Sequence, residues 1–468
     1  MSDRSLIFTY TISAILFILS IANLSKQETS RKGNLFAIIG MIIAIIIAIL
    51  KSKINNIGYV ITAIICGAII GINISKKIDM TKMPQLIAIL HSFVGLTAVL
   101  VGFNNYLLLI YNNIIFNNNN NMQLVEIFIS IFIGSVTLIG SIIAFNKLSG
   151  FIQSKTFNIK YKNQIHIFLL LISFILMIIF LKIHNIKLQI LSLGLMFLVS
   201  LLFGFHLIMS IGGADMPVVI SMLNSYSGWA AASSGFMLTN DLLIITGALV
   251  GSSGAILSYL MCKGMNRSFL NVLLGGGVKK NFEQNNDIII NKNTQDYKNI
   301  SIGNTVEILK SSNSVIIVPG YGLAVSQAQY PLSTMIKKLG SLHINVRFAI
   351  HPVAGRLPGH MNVLLAEANI PYNLVLEMEE INKDFTDTDT VLIIGANDTV
   401  NPSAQEDVDS PISGMPILEV WKANNVIILK RSMNKGYSGI TNPLFYKDNS
   451  YMLFGDAKDT INKMLEIM

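Results

Sequence analysis

Two groups of residues in this chain of 468 have the types and spacing to do chemistry. The first is the run from Ser314 to Tyr330, Ser-Val-Ile-Ile-Val-Pro-Gly-Tyr-Gly-Leu-Ala-Val-Ser-Gln-Ala-Gln-Tyr. It reads as a buried strand, a glycine turn and the first turns of a helix. Gly320 and Gly322, with Tyr321 and Ala324 beside them, would let backbone approach a pyrophosphate, and Val325 stands where a third glycine usually packs. By itself the Gly-x-Gly-x-x-Val spacing describes an ordinary tight turn equally well. The second group is polar and lies inside apolar runs. His91 sits near the middle of residues 84–103 with no charge in the adjoining turns, so it is either a proton-carrying imidazole or a neutral histidine bonded to a neighbouring helix. Asn224, with Ser225, Ser227, Ser233 and Ser234, forms a polar face after Gly212-Gly213-Ala214-Asp215 that could line an aqueous route. An amide there cannot titrate, but it can hold a water or bond an imidazole. His166, His184 and His206 fall nearer the ends of runs, where interfacial placement suffices.

Composition says what must position these groups. With 52% hydrophobic and 13% charged residues, the chain is too apolar for one soluble fold and too long for one domain. From Ser301 onward Lys and Arg number 13 against 17 Asp and Glu, leaving 21 against 9 before it. The basic excess therefore belongs to the apolar part, where membrane topology explains it better than nucleic-acid binding. Nine apolar runs of spanning length are expected, at about residues 6–24, 35–50, 57–74, 84–103, 124–145, 165–181, 188–209, 218–236 and 242–262. Loops after the odd-numbered runs carry 12 Lys and Arg and the opposite side 5, which places the N-terminus outside and the C-terminal part in the cytoplasm. The first run lacks a cleavage site and reads as a retained anchor. Gly67-x-x-x-Gly71, Gly247-x-x-x-Gly251 and Gly254 are expected to pack spans closely. Cys66 and Cys262 are expected to be plain core residues, and no metal site is expected. Residues 117–121 are an asparagine run of low complexity.

After a Lys-, Asn- and Gly-rich linker at residues 264–300, strand signals at 315–319, 345–350, 372–377, 390–395, 426–429 and 451–454 alternate with helical ones. The expected whole is thus a membrane α-helical bundle at 1–263 followed by a doubly wound, Rossmann-like α/β domain at 301–468. Its ligand belongs at the carboxyl ends of the strands. The turns there are Gly320-Tyr321-Gly322, His351-Pro352-Val353-Ala354-Gly355-Arg356, Gly395-Ala396-Asn397-Asp398, Lys430-Arg431-Ser432 and Gly455-Asp456-Ala457. The second strand ends in His351 where an NAD ribose diol would need an acid, whereas Lys430 and Arg431 offer adjacent cations for a 2′-phosphate. That favours NADP(H). As an ionisable group at a strand end beside the nicotinamide position, Asp398 is a candidate redox sensor or a simple cap.

Beyond these patterns, the chain closely resembles the beta subunit of the proton-translocating NAD(P) transhydrogenase over essentially its full length. The resemblance rests on Leu24 to Arg31, Ala88 to Gly95, Ser210 to Trp229, His351 to Glu367, Gly395 to Pro402 and Leu453 to Lys458. It implies a proton-translocating membrane part and an NADP(H) domain, assembled with an alpha subunit that carries NAD(H), two alpha with two beta chains, in a bacterial inner membrane. It further implies direct hydride transfer between two nicotinamides, with no catalytic side-chain acid or base. His91 and Asn224 match membrane residues tied to proton translocation, and Asp215, just before the span carrying Asn224, joins them as a candidate; Asp398, Lys430, Arg431 and Ser432 match the NADP(H) site. Gly436-Tyr437-Ser438-Gly439 matches a loop that folds over the nucleotide. Two other classes fit the bare pattern. One is an NADPH-sensing transporter or channel that never oxidises its ligand, and the other a membrane oxidoreductase passing electrons to quinone, for which no flavin or metal ligand set is visible.

Overall fold

The computed structural model describes residues 3–24, 29–51, 57–112, 121–152, 161–183, 185–212, 215–273, 297–355, 359–408, 410, 412–436 and 438–468. Arg356, Tyr437, His184 and most of the 264–300 linker lie outside these residues. The chain divides into two compact units, one formed by the described residues up to 210 together with 219–257, the other by 211–218 and 258–468.

Among the described residues the apolar runs form nine long helices, seven wholly in the first unit and the last two mostly so: α1 (Asp3–Leu24), α2 (Ser30–Lys51), α3 (Ile57–Lys77), α4 (Met83–Tyr111), α5 (Asn121–Leu148), α6 (Lys162–Lys182), α7 (Ile186–Met209), α8 (Met216–Met237) and α9 (Asp241–Gly264). The shortest has 21 residues, about 31 Å at 1.5 Å per residue, enough to cross a hydrocarbon core. Eight are also apolar enough to do so, α8 being the exception. α8 carries the expected polar face, with its serines buried rather than open and Asn224 half-buried. Ser221 and Ser225 donate their hydroxyls to the carbonyls of Gly254 (3.1 Å) and Gly251 (2.7 Å) on α9. Ser227 and Ser233 bond back to their own helix, and Ser234 reaches Ser130 of α5 at 3.1 Å.

Small residues set the closest helix contacts, because lipid gives helices no hydrophobic reason to associate and backbone approach must supply dispersion and hydrogen bonding instead. A Cβ on Gly228 would lie 2.3 Å from the backbone nitrogen of Gly251, and one on Gly95 of α4 would lie 2.6 Å from the carbonyl of Gly134 on α5. The expectation for Gly67 and Gly71 fails: neither has an atom near its missing Cβ, and no residue of α3 is buried. Cys66, on the same helix, is exposed, while Cys262 is buried as expected. Between α4, α5, α6 and α7 a core forms around Tyr106, Phe128, Phe180 and Met196, with the Tyr106 hydroxyl donating to Gln189 at 3.1 Å.

The second unit ends in a seven-stranded, wholly parallel sheet, β1 (Lys298–Asn299), β2 (Ser314–Pro319), β3 (Asn345–Ile350), β4 (Val375–Glu377), β5 (Thr390–Ile394), β6 (Asn425–Lys430) and β7 (Ser450–Phe454), in the order β1-β7-β6-β5-β2-β3-β4. Six strands match the sequence expectation within a few residues. The seventh, β1, pairs Lys298 with Tyr451 inside what was expected to be linker. The central strands are buried along their length, as continuous Val and Ile runs require when helices cover both faces. Those helices include α11 (Ile302–Ser311), α13 (Gln329–Ser341), α14 (His360–Glu367) and α17 (Ala457–Ile467), after the short α10 (Phe269–Leu273) and α12 (Tyr321–Val325). Lys310 and Lys338 donate to the carbonyls of Ile467 and Leu465 and so satisfy the last turn of α17.

The order reverses between β2 and β5, and the turn after each strand presses against the other. Gly395 has φ +67°, and a Cβ there would lie 2.4 Å from the Cα of Gly322. Gly395→Ala should therefore destabilise the chain by about 2–4 kcal/mol, from left-handed backbone strain plus overpacking. Denaturant unfolding followed by tryptophan fluorescence checks this; an unchanged midpoint would mean that the two turns move apart freely.

Candidate functional site

The crevice where the strand order reverses is the place a parallel α/β sheet offers a ligand. Its floor is glycine. The N–H groups of Gly320 and Gly322 donate to Ile394 (2.8 Å) and Gly395 (3.2 Å), and Cβ atoms on either would strike the Gly395–Ala396 turn. The two glycines thus bring chain against chain. The helix that follows is broken: α12 has five residues, Gln327 takes φ +54°, and α13 begins at Gln329. Val325 is 43% exposed, and the closely packed positions are held by Ala324 and Ala328. The expectation that Val325 substitutes for a packing glycine is therefore corrected, because the early break turns it outward.

One wall is the turn after β3. His351 is buried, Nε2 lies 2.7 Å from the carbonyl of Pro416, and Nδ1 accepts the N–H of Val353 at 3.2 Å. That pair of bonds requires neutral imidazole with its hydrogen on Nε2. Burial pushes the His351 pKa down to about 4, the Pro416 carbonyl opposing it. Val353 and Ala354 are thereby fixed. Gly355, at φ +96°, stands where a Cβ would meet His360 at 2.8 Å, and His360 in turn meets Tyr321 edge to face at 6.4 Å.

The opposite wall joins the turn after β5 to a loop reached 40 residues later. Asp398 accepts the N–H of Ser438 on Oδ2 (2.9 Å) and its hydroxyl on Oδ1 (2.7 Å), and Gly436 lies so close that a Cβ would be 2.5 Å from Oδ1. Asn442 donates to the Asn397 carbonyl at 3.1 Å, and Asn401 to the Thr441 carbonyl at 3.3 Å. Each of these two asparagines precedes a proline and accepts the N–H two residues on, at 3.0 Å. Neither was singled out from sequence, although Asn-Pro is a turn signal that could have flagged them.

Cations close the site. Lys430 ends β6, donates to the Asn434 carbonyl (3.0 Å) and lies 4.5 Å over the ring of Phe445, a residue that sequence reasoning missed. Burial pushes its ammonium down, with Asp398 opposing. Arg431 is more exposed and reaches Asp456 through Nε (3.1 Å) and Nη2 (2.6 Å). Burial works to raise the Asp456 carboxyl, but the bonds from Arg431 and from the N–H groups of Lys458 and Asp459 hold it below the usual carboxylate range. Ser432 is exposed, and Gly455 and Ala457 flank Asp456 at the start of α17. Sequence reasoning had no means of pairing Arg431 with Asp456.

The membrane candidates divide. The Nε2 of His91, in α4, is buried without a hydrogen-bond partner, Asn224 of α8 is half-buried, and no hydrogen bond joins them among the described residues. Asp215 belongs to the second unit. It is buried, and its Oδ1 has no hydrogen-bond partner among the described residues; burial raises its pKa and Arg267 opposes the shift.

A bundle of apolar helices followed by a parallel sheet with a glycine-floored, cation-edged switch point defines a membrane protein with a dinucleotide-binding type of domain. The family profile described as NAD(P) transhydrogenase beta subunit matches residues 7–467. A relative from Rhodospirillum rubrum named NAD(P) transhydrogenase subunit beta is 46% identical over 467 residues, 98% of each chain, and a second so named from a designated strain of that organism matches equally. The chain belongs to the NAD(P) transhydrogenase beta subunit family.

His351 carries a pH dependence. Its folded pKa lies below the ordinary value of about 6.5, so the unfolded chain binds more protons between pH 6.5 and 4. Its contribution is full above 6.5 and is lost as pH falls to about 4, on the order of 3 kcal/mol. Denaturant midpoints taken across this range should fall in the wild type and flatten in His351→Gln; identical slopes would remove His351 from the account.

Proposed function

We propose that the chain binds NADP(H) in its α/β part and exchanges hydride with NAD(H) held by an alpha subunit, in a complex of two alpha and two beta chains that couples the exchange to proton entry. What supports NADP(H) over NAD(H) is the pair Lys430 and Arg431 at the carboxyl end of β6, set against a buried neutral His351 where a ribose diol would need an acid. The donor set fits a 2′-phosphate, since Arg431 already binds a carboxylate through two nitrogens. Lys430, Arg431 and Ser432 would hold that phosphate. The turns 320–325, 353–356 and 395–398, with 455–457, would border the rest of the nucleotide, and the 436–439 loop would cover it.

The proposed division is 1–263 membrane, 264–300 linker and 301–468 nucleotide domain, in a bacterial inner membrane with the N-terminus periplasmic and the C-terminal domain cytoplasmic. When bound, the nicotinamide supplies or accepts the hydride, and no side chain need act as nucleophile or base. The chain's own task is alignment and exclusion of water, so Asp398 and its loop position rather than react. His91 loads and unloads a proton, Asn224 holds water beside its route, and Asp215 stands where α8 begins. Each charge crossing supplies about 2.3 kcal/mol per 100 mV to favour one direction of exchange.

Purified with an alpha subunit, the chain should exchange hydride between the two couples, and alone it should not; binding without exchange in both preparations would favour an NADPH sensor. Lys430→Ala and Arg431→Ala should each weaken NADP(H) about ten- to a hundredfold by calorimetry while leaving NAD(H) nearly unchanged, as loss of a charge-assisted contact implies. Equal weakening of both would make the pair structural. In reconstituted vesicles His91→Ala should abolish proton uptake while NADP(H) still binds; full pumping would place the route elsewhere.

A further inference from the structure

His166 and His206 form a pair that none of the roles above uses. His166 stands in the first turns of α6 and His206 in the last turn of α7, and the two helices pack together. Nδ1 of His206 lies 2.7 Å from Nε2 of His166, with ring centroids 4.6 Å apart and planes at 77°. At that distance one hydrogen bridges the two nitrogens and a second does not fit between them. One imidazole donates, the other accepts, and each keeps an outer nitrogen, Nε2 on His206 and Nδ1 on His166. The surroundings of the rings differ: His166 is buried with Phe203 edge-on at 5.7 Å, whereas His206 is half-buried.

We propose that this pair is a second proton-transfer site of the membrane bundle, moving one proton through the bridge between the rings. With His206 as donor, a proton taken up at Nε2 of His206 forms an N–H bond there. The bridging proton passes from Nδ1 of His206 to Nε2 of His166, and the N–H bond at the buried Nδ1 of His166 breaks as its proton goes to a water admitted beside that nitrogen. Two N–H bonds form, at Nε2 of each ring, two break, at Nδ1 of each ring, and both rings end neutral in the opposite tautomers; the opposite starting tautomers run the passage backwards. Among the described residues, the charged side chains at this end of the helices packed around the pair are Lys162 and Lys147; Glu126, Lys182 and Lys187 stand toward the other ends of α5, α6 and α7. Lys162, one turn before His166 on α6, acts on His206 through space, and Lys147 of α5 donates to the carbonyls of Ile208 and Met209 just beyond it, at 3.0 Å each. Both are cations, which suits a proton passed on at once over a charge retained.

The proposal rests on the transhydrogenase reading and is tested beside it. In the complex reconstituted with an alpha subunit, His206→Gln and His166→Gln keep a hydrogen-bonding amide but cannot relay a proton. Each should lower coupled proton uptake at least about tenfold and remove one ionisation from its pH profile, as loss of a proton-transfer group does. Uptake within about twofold of wild type, with the profile unchanged, would overturn it, since loss of a transfer group costs far more. A second readout does not depend on pumping. With 15N-labelled imidazoles in the full chain in lipid, solid-state NMR should find His206 Nδ1 and His166 Nε2 sharing one hydrogen and titrating together, and independent titration would overturn the pair. A wild-type complex that pumps no protons would instead defeat the functional reading, while the titration still decides the pair.

Discussion

The carboxylate of Asp398 organises the crevice at the switch point of the sheet, because its two oxygens hold a loop that arrives 40 residues later in the chain. Position 398 is fixed by the turn at Gly395, and that turn is fixed by contact with Gly322. Loop, turn and glycine floor therefore form one connected set. The two asparagine bonds from 442 and 401 fasten the same segments from the other side. A charged acceptor taking two hydrogen bonds is among the stronger ties available at a half-exposed site, and it releases when either partner is lost. A loop tied this way can be firm without being permanent.

The membrane unit solves a different problem. Between α8 and α9, and between α4 and α5, glycines meet backbone to backbone, and serines bond across or along the helices. Polar groups in hydrocarbon are expensive when unpaired, so a polar face on α8 folds only by finding these acceptors. His91, whose buried Nε2 has no hydrogen-bond partner among the described residues, stands apart from that rule. An unsatisfied ring nitrogen inside a bundle marks a place where a transient donor or water completes the bonding.

Much of this architecture was legible in the sequence. Long apolar runs gave the helices, since hydrocarbon leaves few other structures open to them, and β-branched runs between glycine turns gave six of the seven strands. The His351 position and the Lys430–Arg431 pair were legible because each follows directly from where a strand ends. What escaped depends on distance in sequence or on the third dimension. Val325 turned outward because α12 breaks after five residues. Gly67, Gly71 and Cys66 lie on a helix with no face packed against the rest of the described chain, a fact that no spacing rule contains. Ser438 against Asp398 and Arg431 against Asp456 join residues that periodicity cannot relate. The serines of α8 read as a water route because polarity is visible in a sequence and partners are not.

Under the proposed function, the Asp398 carboxylate, through its bonds to Ser438, sets how fast NADP(H) leaves the crevice. Stopped-flow release of NADP(H) from the full chain carrying Asp398→Asn measures this directly. An amide cannot accept both Ser438 hydrogens as the carboxylate does, so release should quicken about ten- to a hundredfold, the kinetic equivalent of losing a charge-assisted pair, with the fold intact. An unchanged release rate would contradict the claim and leave Asp398 a turn residue.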